Sequence, residues 1–392
     1  MKRPAYILPV IILSQFTGTS LWFAGNAVIS DLELEFGLAE ASIGYITSAV
    51  QSGFIVGTLV FAFLAIADRF SPRLVFFWCS SAGAISTLAV LVVPPGLAPL
   101  LLLRFTTGFF LAGIYPVGMK IAAARYREEL GRALGYLVGA LVLGTAFPHL
   151  LRATGAQLSP QWVLIAVSLL AFGGAVMMRI AVPDGPWLPR GSPFDPRALA
   201  VIFRSRDFRA SAFGYFGHMW ELYTLWAFIP VWLAAYASQR GIALDVPLWS
   251  FAAIAIGFFG CTLGGLASRR TGSARVAFVQ LLVSGICCLA SPAAFALEPG
   301  LFLAFVLIWG ITAAGDSPQF SALNAANAPR QYVGSALTIA NSIGFMITVA
   351  SIQLTALLAP VVDARHLFWI PVPGPLLGLL ALRPLERKRS PG

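Results

Sequence analysis

Two acids and one imidazole interrupt stretches of this chain that are otherwise almost free of charge, and their spacing suits proton exchange. Glu221 lies in Gly217-His218-Met219-Trp220-Glu221-Leu222-Tyr223-Thr224-Leu225-Trp226. His218 comes three residues earlier, so on a helix the imidazole and the carboxyl share a face. Asp316 stands in Gly315-Asp316-Ser317-Pro318-Gln319, where a glycine and a proline free backbone groups of a helix. A carboxyl taken out of water holds its proton more tightly, which is what a proton-coupled step needs. Glu221, Asp316 and His218 are therefore the expected proton-coupling residues. The structural alternatives are an acid tying its helix to a neighbour, for Glu221, and a partner for freed backbone at a kink, for Asp316.

Other polar residues lie in similar surroundings. Arg104 suits either an anionic solute or neutralisation of one of the two acids, and Lys120, nearer the end of the same stretch, suits snorkelling to headgroups. Asn26, Gln51, Gln319 and Asn341 add amides, while Trp22, Trp220 and Tyr223 stand beside polar neighbours and offer apolar walls. With Arg104 they make up the expected substrate cavity, although aromatics in such chains more often pack or face lipid.

The elements that position these residues are apolar helices. The 392 residues are 58% hydrophobic and 11% charged, more apolar surface than a soluble domain could hide. Twelve stretches approach the roughly 20 apolar residues that cross a bilayer: 6–29, 43–66, 74–93, 98–123, 131–151, 160–181, 210–236, 248–267, 276–297, 301–326, 334–359 and 366–382. The first is too long for a signal peptide, lacks a small-residue cleavage site, and is expected to be a span. The polar residues fall in spans 1, 2, 4, 5, 7, 10 and 11; spans 3, 6 and 12 have none of consequence, and span 9 has only Gln280.

Several chemistries are disfavoured. Cys79, Cys261, Cys287 and Cys288 lie in apolar runs without metal-ligand spacing, so no disulfide, zinc site, catalytic thiol or cofactor is expected. No G-x-x-x-x-G-K-[ST], H-E-x-x-H or G-x-S-x-G motif occurs, which sets aside drive by ATP and makes an embedded enzyme a remote alternative. A sensor would add a soluble domain, and the longest interruption, 183–209, is too short for one.

The net charge of +10 is unevenly distributed. With the N-terminus inside, Arg152, Arg240 and Arg365 fall outside and Arg104 and Lys120 within a span. The rest of the 26 basic residues fall inside, among them Lys2, Arg3, Arg127, Arg190, Lys388 and Arg389. Such asymmetry is the positive-inside rule, and it accounts for the charge without nucleic acid. Outer loops instead carry acids such as Asp31, Glu40 and Asp363.

The proline- and arginine-rich 183–209 divides six spans from six, giving an N-terminal half at 1–182 and a C-terminal half at 210–392. An offset of about two hundred residues pairs similar segments in the two halves, as in parallel-repeat transporters. Asp68-Arg69 meets Ser268-Arg269; Gly108, Gly113 and Pro116 meet Gly310, Gly315 and Pro318; Gly131-Arg-Ala-Leu meets Gly334-Ser-Ala-Leu. Asp316 meets Ile114, so the repeat does not explain its charge.

These residues resemble the major facilitator superfamily. Its loop motif G-x-x-x-D-R-x-G-R is similar to Leu64 through Arg73, with Asp68, Arg69 and the trailing Arg73 matching and Leu64 and Ser71 departing. Arg104 and Gly108 resemble its R-x-x-x-G pattern. The resemblance implies an all-α membrane fold of twelve transmembrane helices in two six-helix bundles, related by a pseudo-two-fold along the membrane normal. It further implies that spans 3, 6, 9 and 12 are outer supports, which matches the distribution of polar residues, and that Asp68, Arg69 and Arg73 form a cytoplasmic gate. The family's span-5 Gly-Pro run is poorly kept, with Gly135, Gly139 and Gly144 but a late Pro148, which weakens drug efflux. Arginines that nitrate porters carry in spans 2 and 8 are missing.

The expected function is secondary active transport of a small polar or anionic solute by alternating access, coupled to protons, with efflux of amphiphilic compounds as the alternative. The expected setting is a bacterial inner membrane with both termini cytoplasmic. The partners expected are the solute, protons and membrane lipid, without nucleic acid, and the chain is expected to be a monomer.

Overall fold

The computed structural model describes residues 4–38, 42–126, 130–155, 159–185 and 194–387. Expectations on Lys2, Arg3, Glu40, Arg127, Arg190, Lys388, Arg389 and the central part of 183–209 lie outside them. Every regular element among the described residues is helical. By internal contacts the chain divides into two compact units, Met1–Pro193 and Phe194–Gly392.

Unit 1 contains α1 (Ile7–Thr19), α2 (Ala24–Ala27), α3 (Ile29–Phe36), α4 (Ser42–Phe63), α5 (Ile66–Arg69), α6 (Pro72–Ala89), α7 (Leu97–Leu111), α8 (Tyr115–Ala123), α9 (Leu130–Thr154) and α10 (Gln161–Ala181). Unit 2 contains α11 (Ala198–Ile202), α12 (Arg206–Arg240), α13 (Val246–Ala255), α14 (Gly257–Thr271), α15 (Ser273–Ala294), α16 (Pro299–Gly315), α17 (Ser317–Asn327), α18 (Val333–Leu358) and α19 (Pro373–Glu386). Punctuation follows residue type. Gly37 and Gly241 end α3 and α12 in the left-handed conformation, each with φ of 62°, where a side chain would be strained. Asp245 caps α13 by accepting from the Leu248 amide at 3.0 Å.

Nine helical stretches among the described residues are long and apolar enough to cross a membrane, and Ile7–Thr19 is a shorter apolar helix. Helices also stand at the third and seventh expected spans without joining the nine. The reason is composition: α6 opens on Pro72-Arg73 and carries Ser80, Ser81, Ser86 and Thr87, and α12 is rich in Trp, Tyr and polar residues rather than aliphatics. The expected first span, 6–29, is not one helix but α1, a non-helical turn and α2. The hydroxyl of Ser20 bonds the Thr17 carbonyl at 2.7 Å, and Arg104 takes the carbonyls of Leu21 and Trp22, so an arginine of α7 holds the break.

Small residues let helices in each unit approach closely. In unit 1 a Cβ added at Gly53 would overlap the Phe105 carbonyl, and one at Gly108 the Val50 carbonyl, so α4 and α7 touch along their backbones. In unit 2 Gly217 meets the Gly374 carbonyl and Gly310 the Ala253 carbonyl, joining α12 to α19 and α16 to α13. Each unit has one stretch broken at the corresponding place. The break is at 112–114 between α7 and α8 and at Asp316 between α16 and α17, with Pro116 and Pro318 opening the second pieces. Proline supplies no amide to the turn before it, and the helix divides there.

Candidate functional site

Asp316 sits in the joint between α16 and α17, and α12 runs unbroken past it. His218, on α12, places its Nδ1 2.9 Å from Asp316 Oδ1, with both side chains at most 2% exposed. The opposite nitrogen, Nε2, is 2.8 Å from the Ser317 hydroxyl. Tyr215 and Phe320 flank the imidazole, with ring centroids 6.1 Å and 5.6 Å away. This geometry accommodates either protonation state. A neutral ring donates from Nδ1 to the carboxylate and accepts from Ser317; a protonated ring donates from both nitrogens, and the hydroxyl turns to accept. The imidazole keeps a neighbour at each nitrogen in either state, while Asp316 Oδ2 stays buried without a hydrogen-bond partner among the described residues.

Unit 1 shows the same joint without charge. A Cβ added at Gly18 of α1 would lie 2.8 Å from Ile114 Cγ2, in the break before α8. Gly18 and Ile114 stand about two hundred positions before His218 and Asp316. At this junction of first helix and broken helix, unit 1 has a glycine and an isoleucine where unit 2 has an imidazole and a carboxylate.

Glu221 forms a separate site. Its Oε1 accepts from Ser284 Oγ, from Trp309 Nε1 at 3.0 Å and from Cys288 Sγ at 3.3 Å. These donors lie on α15 and α16, and α15 is the element the family resemblance makes an outer support. The shared face of His218 and Glu221 therefore splits between two neighbours: the imidazole turns to the α16–α17 joint and the carboxylate to the interior of unit 2. Ser284 carries no polar signal in the sequence, being a small side chain in an apolar run, and Cys288 reads there only as a thiol without metal-ligand spacing, not as a donor to Glu221.

In unit 1 the expected cavity residues gather at the turn after α1. Arg104, 1% exposed, donates from Nη1 to the Leu21 carbonyl at 3.2 Å and from Nη2 to that of Trp22. Trp22 Nε1 donates to Gln51 Oε1 at 3.2 Å, and Asn26 Nδ2 to Thr47 Oγ1 at 2.7 Å. Two nitrogens of Arg104 are thus committed to carbonyls of its own unit rather than to an acid. In unit 2 Tyr223 packs its ring 5.2 Å from those of Trp226 and Phe345, and Asn341 Oδ1 accepts from Tyr215 at 3.1 Å. Gln319 is buried in α17. Trp220 stands apart, half-buried against Gly374 of α19.

The expected gate residues pair within unit 1. Asp68 Oδ1 lies 2.5 Å from Lys120 Nζ, which also donates to the Ala67 carbonyl at 2.7 Å. Lys120 thus reaches the turn before α6 rather than a headgroup. Arg73 Nε lies 3.5 Å from Asp184, whose carboxylate also accepts from Ser71 at 2.7 Å. Arg69 ends α5 and is exposed. Asp184 is a partner that the loop motif does not contain.

The sequence matches the profile of the Major Facilitator Superfamily over residues 10–352. No curated protein matches it. Among solved structures, a bacterial homolog of the human lysosomal transporter Spinster, inward-facing and unoccupied, is similar with a TM-score of 0.72 at 16% identity, covering 100% of both chains. A variant of the nucleoside transporter NupG is similar with a TM-score of 0.73 at 14% identity, covering 97% of this chain and 99% of that one. The occupied form of the Spinster homolog has a TM-score of 0.69 at 15% identity over 100% of both chains.

Proposed function

The chain belongs to the major facilitator superfamily, and from that premise we propose that it is a secondary active transporter of a small polar or anionic solute, driven by protons through His218 and Asp316. Residues 1–182 and 210–392 act as its two halves in alternating access. It works as a monomer in a bacterial inner membrane with cytoplasmic termini.

One observation carries the coupling: a fully buried imidazole–carboxylate pair at a helix joint whose counterpart in unit 1 is apolar. An ionisable pair at bilayer depth is costly, and function is its default reading. A proton arriving at this pair changes the charge where α16 and α17 meet, which is how a joint can be made to follow protonation. Glu221, held by three donors, instead ties α12 to α15 and α16. The carbonyl-bonded Arg104 shapes the turn beside Asn26, Gln51 and Trp22, and the amides of Gln319 and Asn341 with Tyr223 serve the solute. Asp68, Arg69 and Arg73 act at the cytoplasmic end as the gate, with Lys120 and Asp184 as partners.

The test begins with a thermal-shift screen of anionic and polar metabolites on purified protein. A stabilising compound is then followed into proteoliposomes with and without an imposed pH gradient. Accumulation that needs the gradient, and that Asp316→Asn abolishes while bound compound still stabilises the variant, supports the reading. Uptake indifferent to the gradient and to Asp316→Asn overturns it. A screen answered only by amphiphilic cations selects efflux instead.

A further inference from the structure

We propose that unit 2 carries a binding site for the phosphate headgroup of an anionic phospholipid where α12 begins and α19 ends. A cavity of about 340 Å³ there is lined by Arg206, Asp207, Arg383, Pro384 and Arg387. The two helices run antiparallel in close contact, with Gly217 against Gly374 and Gly378, and Gly214 near Leu382. Their ends are thereby brought side by side, and both present arginines there.

The charge and shape suit a phosphate. Three arginines and one aspartate line the cavity, and a guanidinium fork matches two phosphate oxygens at once. Arg209, one turn into α12, is directed elsewhere, since it donates to the carbonyls of Phe203 and Arg204 at 2.8 Å and 3.2 Å. Arg209 is therefore not counted among the arginines of the cavity, which are Arg206, Arg383 and Arg387.

The depth and surroundings suit a lipid rather than a free ion. The apolar stretch Ala364–Glu386 is long enough to cross a membrane, and Arg383 lies in the last turn of α19, the level of headgroups. Leu376, Leu380, Arg383 and Arg387 follow the helical spacing that puts them on one face. Leu376 is 56% exposed and Leu380 48%, and Phe213, two turns beyond Arg206 on α12, is 49% exposed. The arginines therefore continue into an apolar track along which acyl chains can lie. A soluble phosphate would find the arginines but have no use for the track. Basic pockets of this kind between membrane helices hold acidic headgroups.

The test is native mass spectrometry of the full chain released from nanodiscs of phosphatidylcholine with a minor fraction of phosphatidylglycerol. The protein should retain phosphatidylglycerol in preference to phosphatidylcholine, and Arg383→Gln/Arg387→Gln should lower that retention by about tenfold. Arg204→Gln, an exposed change outside the cavity, should leave it intact. Because the substituted arginines are exposed, the variants should melt as the parent does, which separates loss of a site from loss of fold. Equal retention by parent and double variant overturns the proposal. So does displacement of the lipid by millimolar inorganic phosphate, which would make the site one for a soluble anion.

Discussion

His218 Nδ1 and Asp316 Oδ1 meet at 2.9 Å where, in the other unit, Gly18 meets Ile114. The two junctions share helix order, a break and a following proline, and differ in whether the contact can be charged. Removing one partner leaves the other buried and unpaired, so each single change should cost more than the pair is worth. His218→Gln and Asp316→Asn should show a coupling of about 1 to 3 kcal/mol in a double-mutant cycle. Unfolding in detergent measures it, and additive losses would mean the two do not act together.

Glu221 should respond differently. Glu221→Gln keeps an acceptor oxygen for Ser284 and Trp309, and the variant should fold and transport. Glu221→Leu, which imports the residue found at Leu21 in unit 1, strands all three donors, Ser284, Trp309 and Cys288, and should lower stability by about 2 to 4 kcal/mol. Denaturation of the two variants side by side checks this, and loss of transport in a well-folded Glu221→Gln protein would move coupling to this site.

Asp68 and Lys120 form a half-exposed pair, with side chains 30% and 17% exposed. Its worth to stability should be under about 1 kcal/mol, as for other solvent-screened pairs. Asp68→Asn or Lys120→Gln should therefore slow transport while scarcely moving the melting temperature. The exchange Asp68→Lys/Lys120→Asp should restore part of the rate, and no recovery would argue against a direct pair.

Glycines separate into two groups by what surrounds them. Gly108→Ala pushes a methyl into the Val50 carbonyl and should destabilise by about 1 to 3 kcal/mol, as overpacking does. Gly265→Ala, with open space around it on α14, should be neutral or stabilising by up to about 1 kcal/mol. Thermal melting of the two variants distinguishes them.

Outside the membrane-spanning stretches, Asp363 is held by the Arg365 side chain at 2.7 Å, and this contact pulls its carboxyl down to about 2. The depressed value means that its contribution to stability is present above the unfolded-state carboxylate range and is lost as pH falls toward 2. Carbon-13 NMR of labelled aspartate should show this carboxyl titrating below its peers, and Arg365→Gln should raise it part of the way toward them, since the amide of residue 365 still donates to it.

Much of this fold is legible because lipid imposes it: long apolar runs between charged turns leave a helix as the economical solution. The α16–α17 break was foreshadowed by Gly315 and Pro318, whose local effect on a helix is known from residue type alone. The break after α1 was not, because its cause is Arg104, more than eighty positions away and visible only once α7 packs on that turn. The site was legible to the same extent. His218 and Asp316 both stand out as ionisable residues in apolar runs, but spacing along α12 favours a partnership of His218 with Glu221, whereas its partner comes from another helix. Side chains three apart share a face, yet that face is wide enough for each to answer a different neighbour. Lys120 shows the same limit: its partner Asp68 lies on another element, and a long stem reaches a carboxylate as readily as a headgroup.

The uncharged junction of unit 1 gives the molecule its own reference state. Changing two residues, His218→Gly and Asp316→Ile, would turn the second junction into a copy of the first without asking the backbone to adopt any arrangement it does not already use. Grafting the pair the other way, through Gly18→His and Ile114→Asp, would ask whether an ionisable joint is portable. The uncharged junction is in this sense a matched blank for the charged one, and the effect of the charge can be read by subtraction within a single chain.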